Sequence, residues 1–107
     1  MQRLQSGRLL QKEGRMLDIE WDDIAQDDLL SLVVYIAADN PHAAMALKDE
    51  IEEKVNGLRD HPKMYKPGRV EGTREIVVKK NYIVIYKEDG FTVSVLRVLH
   101  ASRDIQA

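Results

Sequence analysis

From residue 16 onward the apolar positions of the chain fall into distinct rhythms. Leu17, Ile19 and Trp21 alternate with Asp18 and Glu20. A period of two over five residues marks a half-buried strand. Ala25, Leu29, Leu32, Val33 and Ile36 then recur at helical spacing, and Leu30, Val34 and Ala37 widen the stripe. A stripe that broad implies burial on more than one side, or a groove for a partner. Asp22 and Asp23 precede it and suit its start, because carboxylates accept from free N–H groups and favour the positive end of the helix dipole. Asn40-Pro41 ends this helix and opens another, with Asn40 as N-cap and Pro41 at the first helical position. Ala44, Leu47, Ile51, Val55 and Leu58 form its apolar face, and Lys48, Asp49, Glu52, Glu53 and Arg59 lie opposite. The two helices make a hairpin with a very short connection. His61-Pro62 ends the second helix. Pro67-Gly68 prolongs the loop, which carries Lys63, Lys66 and Arg69.

The remainder predicts strands over residues 76–78, 82–86 and 91–99, all rich in β-branched and aromatic residues. Lys80-Asn81 and Asp89-Gly90 are the expected two-residue turns. Such turns fix register. They would set Tyr82, Val84 and Tyr86 opposite Arg97, Val95 and Val93. They would also set Tyr82, Val84 and Tyr86 opposite Lys79, Val77 and Glu75. One face then gathers Ile76, Val78, Ile83, Ile85, Leu96 and Val98 as a core. The other gathers Glu75, Val77, Lys79, Tyr82, Val84, Tyr86, Val95 and Arg97.

The expected fold class is α+β: an N-terminal strand, a helical hairpin, then a three-stranded antiparallel β-meander with the helices on one face of the sheet. A length of 107 residues suits one domain. Residues 1–15 are polar with no clear period and read as a loosely ordered N-terminal extension, with Met16 as an alternative start. Residues 16–107 read as a single domain. No apolar run approaches the ~20 residues that span a bilayer, and Leu9-Leu10 is too short for a signal peptide. The expectation is a cytoplasmic protein with no membrane partner. The absence of cysteine excludes disulfides and thiolate ligands.

Charge changes the picture more than composition does. Residues 1–57 carry twelve Asp/Glu against six Lys/Arg, and residues 58–107 carry six against ten. An acidic half and a basic half make a segregated field, which bears on partners. Within the basic half Arg97 interrupts an apolar strand. It must reach water, a carboxylate or a ligand. Glu75 or another acid would make it structural; a phosphate or a partner's carboxylate would make it functional. His100 ends the same strand, either as a proton shuttle or as an ordinary hydrogen-bonding side chain. Tyr82 and Tyr86 can stack on bases or pack across strands. Arg74 and Arg103 lie at the margins, and Lys79 and Lys80 add basic surface. No His or acid spacing suits a metal, and no glycine-rich phosphate loop or Ser nucleophile signature is present.

The order of these pieces resembles the RelE/ParE superfamily of toxins from bacterial type II toxin–antitoxin modules. The matching residues are Asp28-Leu29, Tyr35-Ile36-Ala37, Asn40-Pro41 and Ala43-Ala44, then Leu58, His61-Pro62 and Pro67-Gly68-Arg69-Val70. Gly72-Thr73-Arg74-Glu75-Ile76-Val77-Val78, Asn81-Tyr82-Ile83-Val84-Ile85-Tyr86 and Val95-Leu96-Arg97-Val98-Leu99-His100 follow. The resemblance covers roughly residues 16–105. It implies a growth-inhibiting toxin of a plasmid-stabilisation or addiction system, silenced by a cognate antitoxin, with no cofactor and no metal. A homodimer and a toxin–antitoxin hetero-oligomer are both open. RelE-like members cut mRNA on the ribosome without metal, using basic groups on the sheet; ParE-like members poison DNA gyrase. Ribosome-dependent members often carry an arginine just after the tyrosine of the middle strand, where this chain has Ile83. The ending from Leu99-His100 to Arg103-Asp104 is similar to the ParE side. The resemblance therefore leans to a ParE-like gyrase inhibitor, and the alternative is a RelE-like mRNA endonuclease. Arg74, Arg97, His100, Tyr82, Tyr86 and Arg103 are the candidate toxicity residues. A third reading is a degenerate member that serves only to bind the antitoxin.

Overall fold

A computed structural model describes residues 16–104. The extension expected over residues 1–15 lies outside the described residues. The elements run β1 (Asp18–Trp21), α1 (Asp23–Ala37), α2 (Pro41–Asn56), a 3-10 turn (Gly57–Arg59), β2 (Arg74–Val78), β3 (Tyr82–Glu88), β4 (Thr92–His100) and α3 (Ala101–Asp104).

The helical hairpin follows the periodic signal closely. Asn40 is extended and its side chain accepts from the Ala43 amide at 3.0 Å, which satisfies one of the free donors at the start of α2. Asp22 occupies the N-cap position of α1, yet its side chain makes no capping hydrogen bond. Its amide instead donates to the Val95 carbonyl, so the chain is still tied to the sheet as it turns into the helix. Ala25, Leu29 and Leu32 of α1 and Ala44, Leu47, Ile51 and Val55 of α2 are buried, as the stripes require.

The sheet has four strands in the order β1-β4-β3-β2. β2, β3 and β4 are antiparallel neighbours, and β1 runs parallel to β4, with Asp18 opposite Thr92 and Trp21 opposite Val95. The N-terminal strand thus closes one edge of the meander, and the helical hairpin is carried in the crossover between them. A parallel pairing needs a long connection of this kind.

The register differs from the expected one. Val78, not Lys79, pairs with Tyr82, so the β2–β3 link is three residues long. Lys79 and Lys80 both take positive φ, 50° and 69°, and this lets residues 79–81 turn back without glycine. Tyr82 pairs with His100 and Ile85 with Arg97, then a bulge between Ile85 and Tyr86 shifts the partners so that Tyr86 meets Val95. Residues 89–92 close the second hairpin. The Asp89 carboxylate accepts from the amides of Phe91 and Thr92 there, and Gly90 takes a φ of 92°.

A one-residue slip sends a strand's side chains to the opposite face. β2 presents Ile76 and Val78 to the core as expected, but β3 presents Val84 and Tyr86 rather than Ile85, and β4 presents Val93, Val95 and Val98 rather than Leu96. Ile83 is buried but lies outside the core cluster. The hairpin helices cover that cluster, with Leu29, Leu32, Leu47, Ile51 and Val55 against the strand residues.

Candidate functional site

The sheet separates the candidate residues into two ends and a middle. At the first end Arg74 opens β2 and faces Tyr86 of β3. Both side chains turn to the loop that precedes β2. The Arg74 guanidinium donates to the Tyr65 carbonyl at 2.6 Å and to that of Lys63 at 3.4 Å. The Tyr86 hydroxyl donates to the Pro62 carbonyl at 2.7 Å. Tyr86 is fully buried, and desolvation pushes its pKa up to about 12, against a smaller opposing pull from Arg74. A ring buried this completely is not open to stack on a nucleic-acid base. The same loop is sewn down further. The Glu75 amide donates to the Lys66 carbonyl, the Glu75 carboxylate accepts from the Arg69 amide, and the Thr73 hydroxyl donates to the Val70 carbonyl. Gly68 sits so close that a Cβ there would meet the Thr73 hydroxyl at 2.6 Å. This end is a rigid frame.

In the middle lies Arg97. Its Nε and Nη2 donate to the two carboxylate oxygens of Asp28 on α1, at 2.8 and 3.1 Å. The same carboxylate accepts from the Val98 amide at 3.0 Å. β1 ends at Trp21, opposite Val95, so among the described residues this stretch of β4 has no strand beyond it. Asp28 supplies the missing acceptor and ties α1 to the sheet edge. The bidentate fork raises the Arg97 pKa further above its ordinary value. Of the two readings left open for Arg97, the pair with an acid is the one present, and that acid is Asp28 rather than Glu75. Glu75 instead faces Arg69.

The second end gathers Tyr82, His100, Arg103, Lys79 and Lys80. Tyr82 and Tyr86 are four positions apart on β3, about 13 Å at the rise of a strand. The Tyr82 and His100 rings meet edge to face, with centroids 5.2 Å apart. His100 Nδ1 lies 3.0 Å from the Ser102 hydroxyl. The Asp104 carboxylate accepts from the His100 amide, and this backbone bond holds its pKa below the usual carboxylate range. The Ala101 amide donates to the Asn81 carbonyl, so α3 is tied to the Lys79–Asn81 turn. Lys79 reaches back to Glu50 of α2 at 2.9 Å, and Arg103 lies 3.4 Å from Asp104.

An imidazole flanked by two hydroxyl-bearing side chains can move a proton. Phosphoryl chemistry also needs cations aimed at the phosphate. Arg74 and Arg97 are aimed elsewhere. Among the described residues no three His, Asp or Glu side chains converge as a metal site, and no helix is long and apolar enough to cross a membrane.

The sequence model of the family described as ParE toxin of type II toxin–antitoxin system, parDE, matches residues 19–105. The chain belongs to this family. A ParE-family assignment agrees with Y4kP of Sinorhizobium fredii, a toxin candidate by name, which is 34% identical over 84 residues, 78% of this chain and 86% of that protein. The fold is shared with the chromosomal ParDE toxin–antitoxin system of Pseudomonas aeruginosa. That chain has a TM-score of 0.71 at 20% identity, and the match covers 79% of this chain and 96% of that one. The RelBE2 toxin–antitoxin complex of Mycobacterium tuberculosis is also similar, with a TM-score of 0.55 at 27% identity over 79% of this chain and 91% of that one. The expected α+β class and superfamily agree with these findings.

Two features of this ParE-family chain escaped the sequence reading. Asp28 was legible only as part of the family pattern, because its partner lies 69 residues away. The groove beside Trp21, Leu29 and Leu30, between the two helices, left only the trace of an over-wide apolar stripe.

Proposed function

We propose that this toxin inhibits growth by gripping a protein target, DNA gyrase, in the cytoplasm, and that a cognate antitoxin neutralises it. The observation that carries this reading is that two arginines of the sheet, Arg97 and Arg74, are already held by partners within the fold. Arg97 is forked onto Asp28, and Arg74 is bonded to the carbonyls of residues 63 and 65. A nuclease of this fold would need such groups free to cradle a phosphate. The antitoxin partner is supported by the family, whose structural relatives include toxin–antitoxin complexes.

A second reading, mRNA cleavage on the ribosome, draws on one observation. Tyr82, His100 and Ser102 form a connected group at the end of the sheet. One experiment separates the two. The chain is induced without antitoxin, and plasmid supercoiling and message integrity are followed in the same culture. Gyrase inhibition gives relaxed plasmid with intact messages. Cleavage of messages, abolished by His100→Ala, reverses the assignment. Growth without arrest overturns both.

A further inference from the structure

The face of the sheet turned away from the helices is aliphatic at its centre. Alternation sends Val77, Ile83 and Ile85 opposite to the core residues Ile76, Val78, Val84 and Tyr86. Val77, Ile83 and Leu99 pair in one row across β2, β3 and β4, and Glu75, Ile85 and Arg97 pair in the next. Both charged members of the second row are held at its ends, Arg97 by Asp28 on α1 and Glu75 by Arg69 in the loop. Val77, Ile83, Ile85 and Leu99 remain between them. Val77, on the edge strand of the sheet, is 49% exposed. An apolar patch framed by polar groups is the mark of an interaction surface.

The rim of this patch identifies what fits it. Lys87 follows Ile85 on the same face, opposite Ser94. Lys66 lies along the edge of β2, where its carbonyl accepts from the Glu75 amide. Lys80 stands at the other end, in the turn after β2. All three lysines are exposed, and none makes a salt bridge among the described residues. The aliphatic centre thus has cations at both ends, which favours an occupant with carboxylates flanking its apolar groups. A second copy of the chain is a poor occupant, because pairing the face with itself sets lysines over lysines whichever way the strands run. A nucleic-acid strand is a poor one too. Tyr82 and Tyr86 pack on the core side of β3, so neither offers this face a ring for a base to stack on.

We infer that this face of the sheet grips the target, through a protein segment that carries aliphatic anchors flanked by Asp or Glu. That the target is a protein, DNA gyrase, rests on the proposed function; the chemistry of the segment follows from the face. The anchors pack on Val77, Ile83, Ile85 and Leu99, and the carboxylates lie over Lys66, Lys80 and Lys87.

The test is binding of the full chain to immobilised, purified DNA gyrase. One variant changes the centre, Val77→Asp with Ile85→Thr. The other changes the rim, Lys66→Glu with Lys80→Glu and Lys87→Glu. The rim variant alters only exposed side chains, so it tests the face even where the centre variant fails to fold. The rim variant is expected to bind ~10-fold or more weakly, with the loss shrinking as salt rises. The centre variant should lose ~10-fold or more at every salt concentration while keeping its far-UV circular dichroism. Unchanged binding by the rim variant, or by a folded centre variant, overturns the inference and leaves the proposed function standing. So does a dimer in sedimentation that the centre variant dissociates. If the unaltered chain does not bind gyrase, the proposed target falls, and the face is judged by induction without antitoxin. Growth arrest with intact messages, abolished in the rim variant, keeps the face for another protein target. Arrest that the rim variant retains, cleaved messages, or no arrest at all overturns the face as well.

Discussion

The sheet and the outer side of the helical hairpin use their residues in opposite ways. The sheet holds the charged and aromatic side chains that look chemical, and three of them are held by partners within the fold. Tyr86 pins Pro62, Arg74 pins Tyr65, and Arg97 is forked onto Asp28. The outer side of α1 has no chemistry to offer, yet it leaves Leu30, Val34 and Tyr35 in water. Polar groups that satisfy one another stabilise a fold. A basic strand face is therefore not by itself a nuclease site.

Changes at four places break or sharpen this contrast, ordered by the largest effect expected at each. Tyr86→Ala removes a buried ring and the bond that anchors the loop, at about 4 kcal/mol, whereas Tyr86→Phe costs about 1 kcal/mol. Urea unfolding measures both. Because the Tyr86 pKa is raised from 10.0 to about 12, its contribution is complete below pH 10 and fades as pH climbs through 12. Ultraviolet titration should show one tyrosine ionising only in that range. Asp28→Ala strands a guanidinium and leaves the Val98 amide without its acceptor, at about 2 kcal/mol. The Asp28 side chain is only 16% exposed, so its bonds are sheltered from screening, but Arg97 at 42% can reach water, and that limits the loss.

Leu30→Ser with Val34→Ser should change unfolding free energy by less than about 0.5 kcal/mol, since neither side chain belongs to the core. A drop comparable to that of Asp28→Ala would mean that this face supports the fold and is not held in reserve. Asp89→Asn should have the smallest effect. Amide donors from Thr92 and Phe91 hold its carboxyl below the ordinary 3.8, so its stabilisation is present above that value and disappears as pH falls further. The difference between Asp89→Asn and the unaltered chain in thermal melts should shrink on acidification below pH 4, where the carboxylate itself becomes neutral.

Much of this was legible in the sequence. Asn40-Pro41 marked the helix boundary because a capping side chain and a fixed φ act locally, and the structure has that cap. His61-Pro62 and the β-branched runs likewise marked where helix gives way to strand. The faces of the meander were not legible, for two physical reasons. Residues 82–86 are apolar at every position, so alternation carries no sign of which side is buried. The turn that sets the register places two lysines in the left-handed region, a choice that residue type does not advertise. The sequence reading therefore brought Arg97, Tyr82 and Tyr86 onto one face. The structure sets Tyr82 against His100, Tyr86 against Val95 and Arg97 against Ile85. The partner of Arg97 was out of reach for a different reason: a carboxylate 69 residues distant leaves no local pattern.

The central claim is that this ParE-family chain acts through protein contact and not through phosphate chemistry on its sheet. The most direct measurement is supercoiling of relaxed plasmid by purified DNA gyrase as the chain is titrated in. The expected result is loss of supercoiling at micromolar chain, retained when His100 is changed to Ala. Full supercoiling at the same concentrations, by gyrase otherwise shown to be active, would contradict it.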